Sequence, residues 1–399
     1  PDPEVYVDEG KWKARQGGNG VEYAKKTAVK LKSFEPKEYE LSILLFYSQD
    51  IEMEKKIPQN VNLINLSIDR SYYCGSFKEV IRERARKFKI ADLSRIALNR
   101  LCKGIPVPVS ISINDLQAPN ETYDYAVCYH MHSPLVLKYV AEKINAKVKY
   151  AWIHNDFLTT NYPIDQYAIW LKAYNAFWGV SDRLTEEFKN ICPEHKTRAF
   201  TLHNIVDIQE IKEKANDLRN VEESFLNDKA FKILTVGRFV EQKGFDLAIK
   251  AAAILKEKGA KFVWYAIGYG KDEEMLKSLI EEYKVMDCFV ILGRKDNPYP
   301  YMLNSDLYVQ TSRHEGYAIT VEEAKALKKI IVCTNFAGAS EQIEDKLTGI
   351  IVNTFSAEKI SEAIFPFIED ENYRKNFQEN ILSSTYDDGW KSIQEVFGQ

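Results

Sequence analysis

Short apolar runs alternate along the chain with longer stretches in which apolar residues recur every three or four positions. That alternation predicts an α/β protein, because runs buried on both faces read as parallel strands and the amphipathic stretches as helices packed over them. In the first half the strands fall at residues 41–47, 125–129 and 148–153. In the second they fall at 231–236, 262–267, 289–292, 307–310 and 330–333. Several end in Gly, His or Ser, at the strand ends where a doubly wound sheet carries its ligand loops. After 231–236, Phe245, Ala248, Ile249, Ala252 and Leu255 form one apolar helical stripe. Lys250, Lys256, Glu257 and Lys258 lie off that stripe, and Gly259 supplies the left-handed stop.

A chain of 399 residues fits two domains at about 100–200 residues each. The polar segment 201–227 separates the strand-rich halves, so the expected domains are 1–205 and 206–379, with a helix at about 380–399 packing back on the first. No repeat or heptad run is present, and no stretch nears the roughly 18 apolar residues of a membrane helix. No basic-apolar-small signal pattern opens the sequence, which leads to a cytoplasmic expectation. Six cysteines, the closest pair 26 residues apart (Cys102 and Cys128), give no paired zinc spacing and fit a reducing compartment. They read as small buried hydrophobes.

The net charge of -4 hides an asymmetry. Residues 1–200 carry 29 Lys and Arg against 25 Asp and Glu, whereas residues 201–399 carry 25 against 33. Residues 11–110 alone hold 20 basic against 11 acidic, densest at Arg82, Arg84, Arg86, Lys87 and Lys89 after Lys78. Such a run is either a solvated helix face or a surface for a phosphorylated carrier or for anionic lipid at the inner face of a membrane, where each cation adds about 1 kcal/mol. A nucleic-acid partner is not expected, since the whole chain is acidic and no recognition motif is visible.

Two constellations carry candidate chemistry. In Val236-Gly237-Arg238-Phe239-Val240-Glu241-Gln242-Lys243-Gly244 a strand ends, Gly237 lets the backbone turn, and two cations five residues apart precede a helix. A helix N-terminus already favours anions, and Arg with Lys beside it makes a diphosphate site; two solvated loop cations are the plainer reading. In Ser312-Arg313-His314-Glu315-Gly316-Tyr317-Ala318-Ile319-Thr320-Val321-Glu322-Glu323-Ala324, Glu315 lies in a loop and Glu323 in the next helix. Fixed carboxylates accept hydrogen bonds from sugar or ribose hydroxyls. Glu323 has a second reading, as the partner of an N-cap Thr320 in a capping box.

These segments, Gly-Arg…Lys-Gly and two glutamates separated by seven residues, resemble the retaining nucleotide-sugar glycosyltransferases of family four, the glycosyl transferases group 1. The resemblance covers most of 231–352, including Ala337-Gly338-Ala339-Ser340-Glu341. It continues more weakly through Gly17-Gly18-Asn19-Gly20, Trp152-Ile153-His154-Asn155-Asp156-Phe157, Val180-Ser181 and Asn204-Ile205-Val206-Asp207. It implies the GT-B fold, two Rossmann-like doubly wound domains facing across a cleft. It implies that Arg238 and Lys243 hold the donor diphosphate, Glu323 the ribose and Glu315 the donor sugar. Backbone N–H groups from Gly316, Tyr317, Ala318 and Ile319 would contact sugar and phosphate. Gly17 and Gly18 match a glycine loop that closes on the phosphates, His154 a histidine near the transferred sugar, and the base would lie near Gly268 and Gly293-Arg294.

The chain departs from the pattern at Ala318, where glycine is common, and at Lys328-Lys329, which replace a Gly-x-Pro turn. Its short acidic opening strand also differs. The resemblance implies hexosyl transfer from a nucleoside diphosphate sugar, UDP favoured, to a glycan or lipid-linked hydroxyl in bacterial surface polysaccharide or glycoconjugate synthesis. No cofactor is implied beyond the donor substrate. The absence of an Asp-x-Asp pair from the sequence agrees with cationic side chains taking the place of a metal. His130 and His132 would share a face if extended, but no obvious further ligand except Asp156 accompanies them and His154, so His132 reads as a pocket wall or satisfied core residue. Three alternatives share parts of this reading: an epimerase or phosphorylase on the same fold, a non-catalytic subunit, and a nicotinamide dehydrogenase. Glu273, where the dinucleotide fingerprint begun by Gly268 and Gly270 needs a third glycine, weakens the last.

Overall fold

The computed structural model describes residues 113–384 apart from 115, 159 and 161, together with four strands nearer the N-terminus. The chain divides into two compact units, Pro1–Thr201 and Leu202–Gln399. In the first, β1 (Asp2–Asp8) and β2 (Lys11–Gly17) form an antiparallel hairpin, and β3 (Ser42–Leu45) and β4 (Asn62–Asn65) a parallel pair. Strands β5 (Tyr123–Cys128), β6 (Ala146–Ile153), β7 (Ala176–Gly179) and β8 (Ala199–Thr201) form a parallel sheet in that order. Helix α1 (Pro134–Lys143) crosses from β5 to β6 and α2 (Asp182–Ile191) from β7 toward β8. Each begins where a serine caps it: Ser133 accepts from the N–H of Val136 and Ser181 from that of Leu184.

Of the glycine pair, the structure describes Gly17, the last residue of β2, which pairs with Asp2. Gly18 and the basic run at 78–89 lie outside the described residues.

The second unit is a six-stranded parallel sheet of β9 (Phe231–Val236), β10 (Phe262–Ile267), β11 (Phe289–Gly293), β12 (Leu307–Gln310), β13 (Ile330–Thr334) and β14 (Gly349–Val352). Their order in the sheet is β11-β10-β9-β12-β13-β14. Alternate side chains feed two cores. Ile233, Leu307, Val309, Ile330 and Val332 face one, while Leu234, Tyr308, Ile331 and Cys333 face the other. Helices α3 (Ile208–Ala215), α4 (Phe245–Glu257), α5 (Glu273–Glu282), α6 (Tyr299–Leu303), α7 (Ile319–Ala326), α8 (Ala357–Glu369) and α9 (Glu371–Ser383) cover the two faces.

The stripe read from the sequence is the buried face of α4: Phe245, Ala248, Ile249, Ala252 and Leu255 are all at most 2% exposed. Gly259 follows with φ of 81°. Ile381, near the end of α9, packs into the core of the second unit, and residues 385–399 lie outside the described set. Among the described residues no helix is long and apolar enough to cross a membrane. Cys128, Cys192, Cys288 and Cys333 are buried free thiols.

Candidate functional site

The strand order reverses between β9 and β12, which pair side by side. The chain leaves β9 for α4, on one face, and leaves β12 for α7, on the other. The loops therefore part at the carboxyl ends of these strands and leave a crevice, the position where open parallel sheets bind ligands. Both sequence constellations emerge there.

The two loops are tied together. Thr311 Oγ1 donates to the carbonyl of Lys243 (3.1 Å), the N–H of Arg313 to that of Gln242 (2.7 Å), and Gln242 Nε2 to that of His314 (2.9 Å). Gly244 has φ of 66°, and a Cβ there would collide with the carbonyl of Thr311, so only glycine allows this approach. Arg313 grips Asp246 through two bonds of 2.8 and 2.7 Å. Burial works against ionisation of Asp246, yet the guanidinium outweighs it and holds the carboxyl below its usual range.

Lys243 and Glu315 meet across the crevice at 2.5 Å, with side chains only 13% and 11% exposed. Glu315 Oε1 also accepts from Ser312 Oγ (2.7 Å) and Gln310 Nε2 (3.4 Å). Gln310 is buried; its Nε2 donates to Ser312 Oγ (2.7 Å), and its Oε1 accepts from Tyr308 (2.7 Å) and Thr320 (3.1 Å). Arg238, half-buried, follows Gly237 on the same loop as Lys243.

The capping-box reading fails on geometry. Helix α7 begins at Ile319 with Ala318 as its N-cap, which places Thr320 inside the first turn. Glu323, 7% exposed, instead accepts from the Tyr299 hydroxyl at 2.8 Å. The amide expected to serve the donor at Ala318 is also committed elsewhere. Its N–H donates to Gln342 Oε1 (3.0 Å), and its carbonyl accepts from Gln342 Nε2 (2.9 Å). Ile319 opens α7, where backbone N–H groups point outward. Tyr317 stacks on His203 at 4.8 Å and its carbonyl accepts from Asn204 Nδ2, while His203 Nε2 meets Glu341 at 2.9 Å. Gly338 lets Gly316 approach, since a Cβ there would sit 2.7 Å from its carbonyl oxygen.

Residues 217–383 match the model of the glycosyl transferases group 1. That segment belongs to this glycosyltransferase family. A Campylobacter jejuni N-acetylgalactosamine-N,N'-diacetylbacillosaminyl-diphospho-undecaprenol 4-alpha-N-acetylgalactosaminyltransferase is 32% identical over 178 residues, covering 44% of this chain and 46% of that protein. An uncharacterized glycosyltransferase of Methanocaldococcus jannaschii is 24% identical over 306 residues, or 66% of this chain and 74% of its own. Anabaena HepE, solved in complex with UDP and glucose, superposes with a TM-score of 0.67 at 15% identity over 100% of both chains. The chain thus spans about half the length of the Campylobacter relative and the whole of the Anabaena structure. The fold is GT-B.

The other positions singled out within the glycosyltransferase segment flank the same edge. Gly268 packs against Gly237: a Cβ at 268 would collide with the carbonyl of Gly237, and the N–H of Phe239 donates to the carbonyl of Tyr269 at 2.8 Å. Arg294 lies over the Tyr269 ring at 5.3 Å and is about half exposed.

His154 belongs to the first unit, just past β6, packed beside Tyr129 (4.6 Å) and Trp152 (5.4 Å). Burial pushes its imidazolium down to about 3, with His130 adding to the shift. His130 and His132 lie beyond β5 in a turn, so they do not share an extended face. His132 is buried against Phe157 (4.5 Å) and Tyr162 (4.8 Å), and neither ring nitrogen has a hydrogen-bond partner among the described residues. It is a core residue, but not a satisfied one. Nearby, burial and Asp156 push Glu187 up to about 7.

Sequence reasoning missed Gln310, Tyr299 and Gln342. Only Gln310 left a trace, as the one polar residue closing the apolar strand Leu307–Gln310.

Proposed function

We propose that the protein is a retaining, metal-independent glycosyltransferase that moves a hexosyl unit from a UDP-sugar to a hydroxyl of a glycan or lipid-linked acceptor, in surface polysaccharide or glycoconjugate synthesis. The enclosed Lys243–Glu315 pair at the switch point carries this reading. A sequestered ion pair is weak evidence for stability, because desolvation offsets its Coulomb gain, so its place at the ligand edge argues for function. The ammonium has three donors. One holds Glu315, which leaves others for a diphosphate arriving beside Arg238. The transition state separates an oxocarbenium-like sugar from a diphosphate, so the two cations support the leaving group where charge develops. Glu323 and Glu315 offer carboxylate oxygens to ribose and sugar hydroxyls, and a neutral His154 orients the sugar through hydrogen bonds. The activity that names the Campylobacter relative, transfer to a diphospho-undecaprenol glycan, supports a lipid-linked acceptor. The UDP and glucose in the Anabaena structure support the donor.

The test is nucleotide release from UDP-glucose, UDP-galactose, UDP-N-acetylglucosamine and GDP-mannose, with and without EDTA, and product anomers assigned by NMR. The expected result is release from a UDP-sugar, unchanged by EDTA, with the anomer retained. Arg238→Ala and Lys243→Ala should each lose about a hundred- to thousandfold in turnover. Near-wild-type rates in both variants would remove the diphosphate assignment.

A further inference from the structure

We infer that Gln310 is a positioning residue that fixes which oxygen of Glu315 faces the donor, an inference that rests on the transferase reading above. The direction of the hydrogen bonds follows from chemistry. A carboxylate only accepts, so the Gln310 atom facing Glu315 must be the amide nitrogen, and Ser312, whose hydroxyl proton goes to Glu315, must accept from that same nitrogen. The amide oxygen is thereby turned to the hydroxyls of Tyr308 and Thr320, which both donate to it. Every polar atom of this buried side chain is used, so its amide has one orientation.

The consequence falls on Glu315. Lys243, Ser312 and Gln310 all donate to Oε1, and among the described residues Oε2 receives no hydrogen bond. One oxygen is saturated by the protein and the other is left for a hydroxyl of the sugar. The same amide reaches Thr320 on the first turn of α7, the helix that carries Glu323. Gln310 therefore ties the loop glutamate and the helix glutamate to a single strand end.

The experiment uses the full chain and UDP-sugar turnover, read as UDP release. Gln310→Met removes the amide at similar volume. Turnover should fall on the order of a hundredfold with the apparent KM for donor nearly unchanged, as expected when a reacting group is misplaced by about an ångström. Gln310→Glu keeps the acceptor toward Tyr308 and Thr320 but sets a carboxylate against Glu315, with Lys243 and Glu323 the other charges nearby. Its turnover should be low at pH 8 and recover as pH falls, when the introduced carboxyl takes a proton and donates again. A role confined to packing would give no such recovery. Ser312→Ala, which cuts the relay one step later, should lose turnover in the same range and decides the matter if Gln310→Glu does not fold. Wild-type turnover in Gln310→Met or Ser312→Ala, or a Gln310→Glu defect equal at every pH, would overturn the inference while leaving the transferase reading intact. A wild-type protein that neither releases UDP nor gains melting temperature with UDP would instead remove the reading beneath it.

Discussion

His154 shows how burial sets protonation before any chemistry begins. Its folded value of about 3 lies below the ordinary 6.5. Between those values the unfolded chain binds a proton that the folded chain refuses, so stability is intact above about pH 6.5 and falls as pH drops toward 3. His132, also shifted down by burial, acts in the same direction. Melting temperature followed from pH 7.5 to 4 should fall for the wild type and fall less steeply for His154→Gln. Parallel curves would mean that the ring is more hydrated than its surroundings indicate. The same neutrality argues that His154 serves the proposed transfer as a hydrogen-bonding group rather than a proton shuttle, because it does not titrate near neutral pH.

At the scale of elements, the loops after β9, β10 and β12 hold the site together through backbone contacts. Gly268 and Gly293 separate two reasons for glycine. Gly293 needs its left-handed φ of 71° but has open space where a Cβ would go, whereas Gly268 would drive a Cβ into the carbonyl of Gly237. Gly293→Ala should cost about 1–2 kcal/mol of backbone strain. Gly268→Ala should cost more, since overpacking of about 1–3 kcal/mol falls on the turn that carries Arg238 and the backbone must shift. Chemical denaturation checks the order, and donor affinity should weaken more in Gly268→Ala than in Gly293→Ala.

The strands at 231–236, 262–267 and 307–310 were legible in the sequence because large aliphatic, β-branched and aromatic residues dominate each run, as burial on both faces of a parallel sheet requires. The short β7, β8 and β14 were not, since three or four residues carry little period; β12, equally short, was read from its apolar run Leu307-Tyr308-Val309. The partners of Ala318 and Glu323 were also hidden. Gln342 and Tyr299 stand 24 residues away from them in opposite directions, and only the fold brings them close.

For the molecule as a whole, the placement of the proposed donor contacts decides which part a ligand protects. Arg238, Lys243, Glu315 and Glu323 all belong to Leu202–Gln399. A ligand that binds only the folded form stabilises it by mass action, about 2.7 kcal/mol at a hundred times its dissociation constant. UDP should therefore slow amide hydrogen exchange most in segments 231–245 and 311–326. It should also raise the melting transition of the second unit. In Lys243→Ala at the same UDP concentration that rise should shrink, because the loss of one diphosphate contact raises the dissociation constant and reduces the logarithm directly. Glucose alone should leave exchange in these segments unchanged, since it brings neither the pyrophosphate for the cations nor the ribose for Glu323. Protection that appeared with UDP but spared both loops would place the nucleotide somewhere other than the β9–β12 switch point.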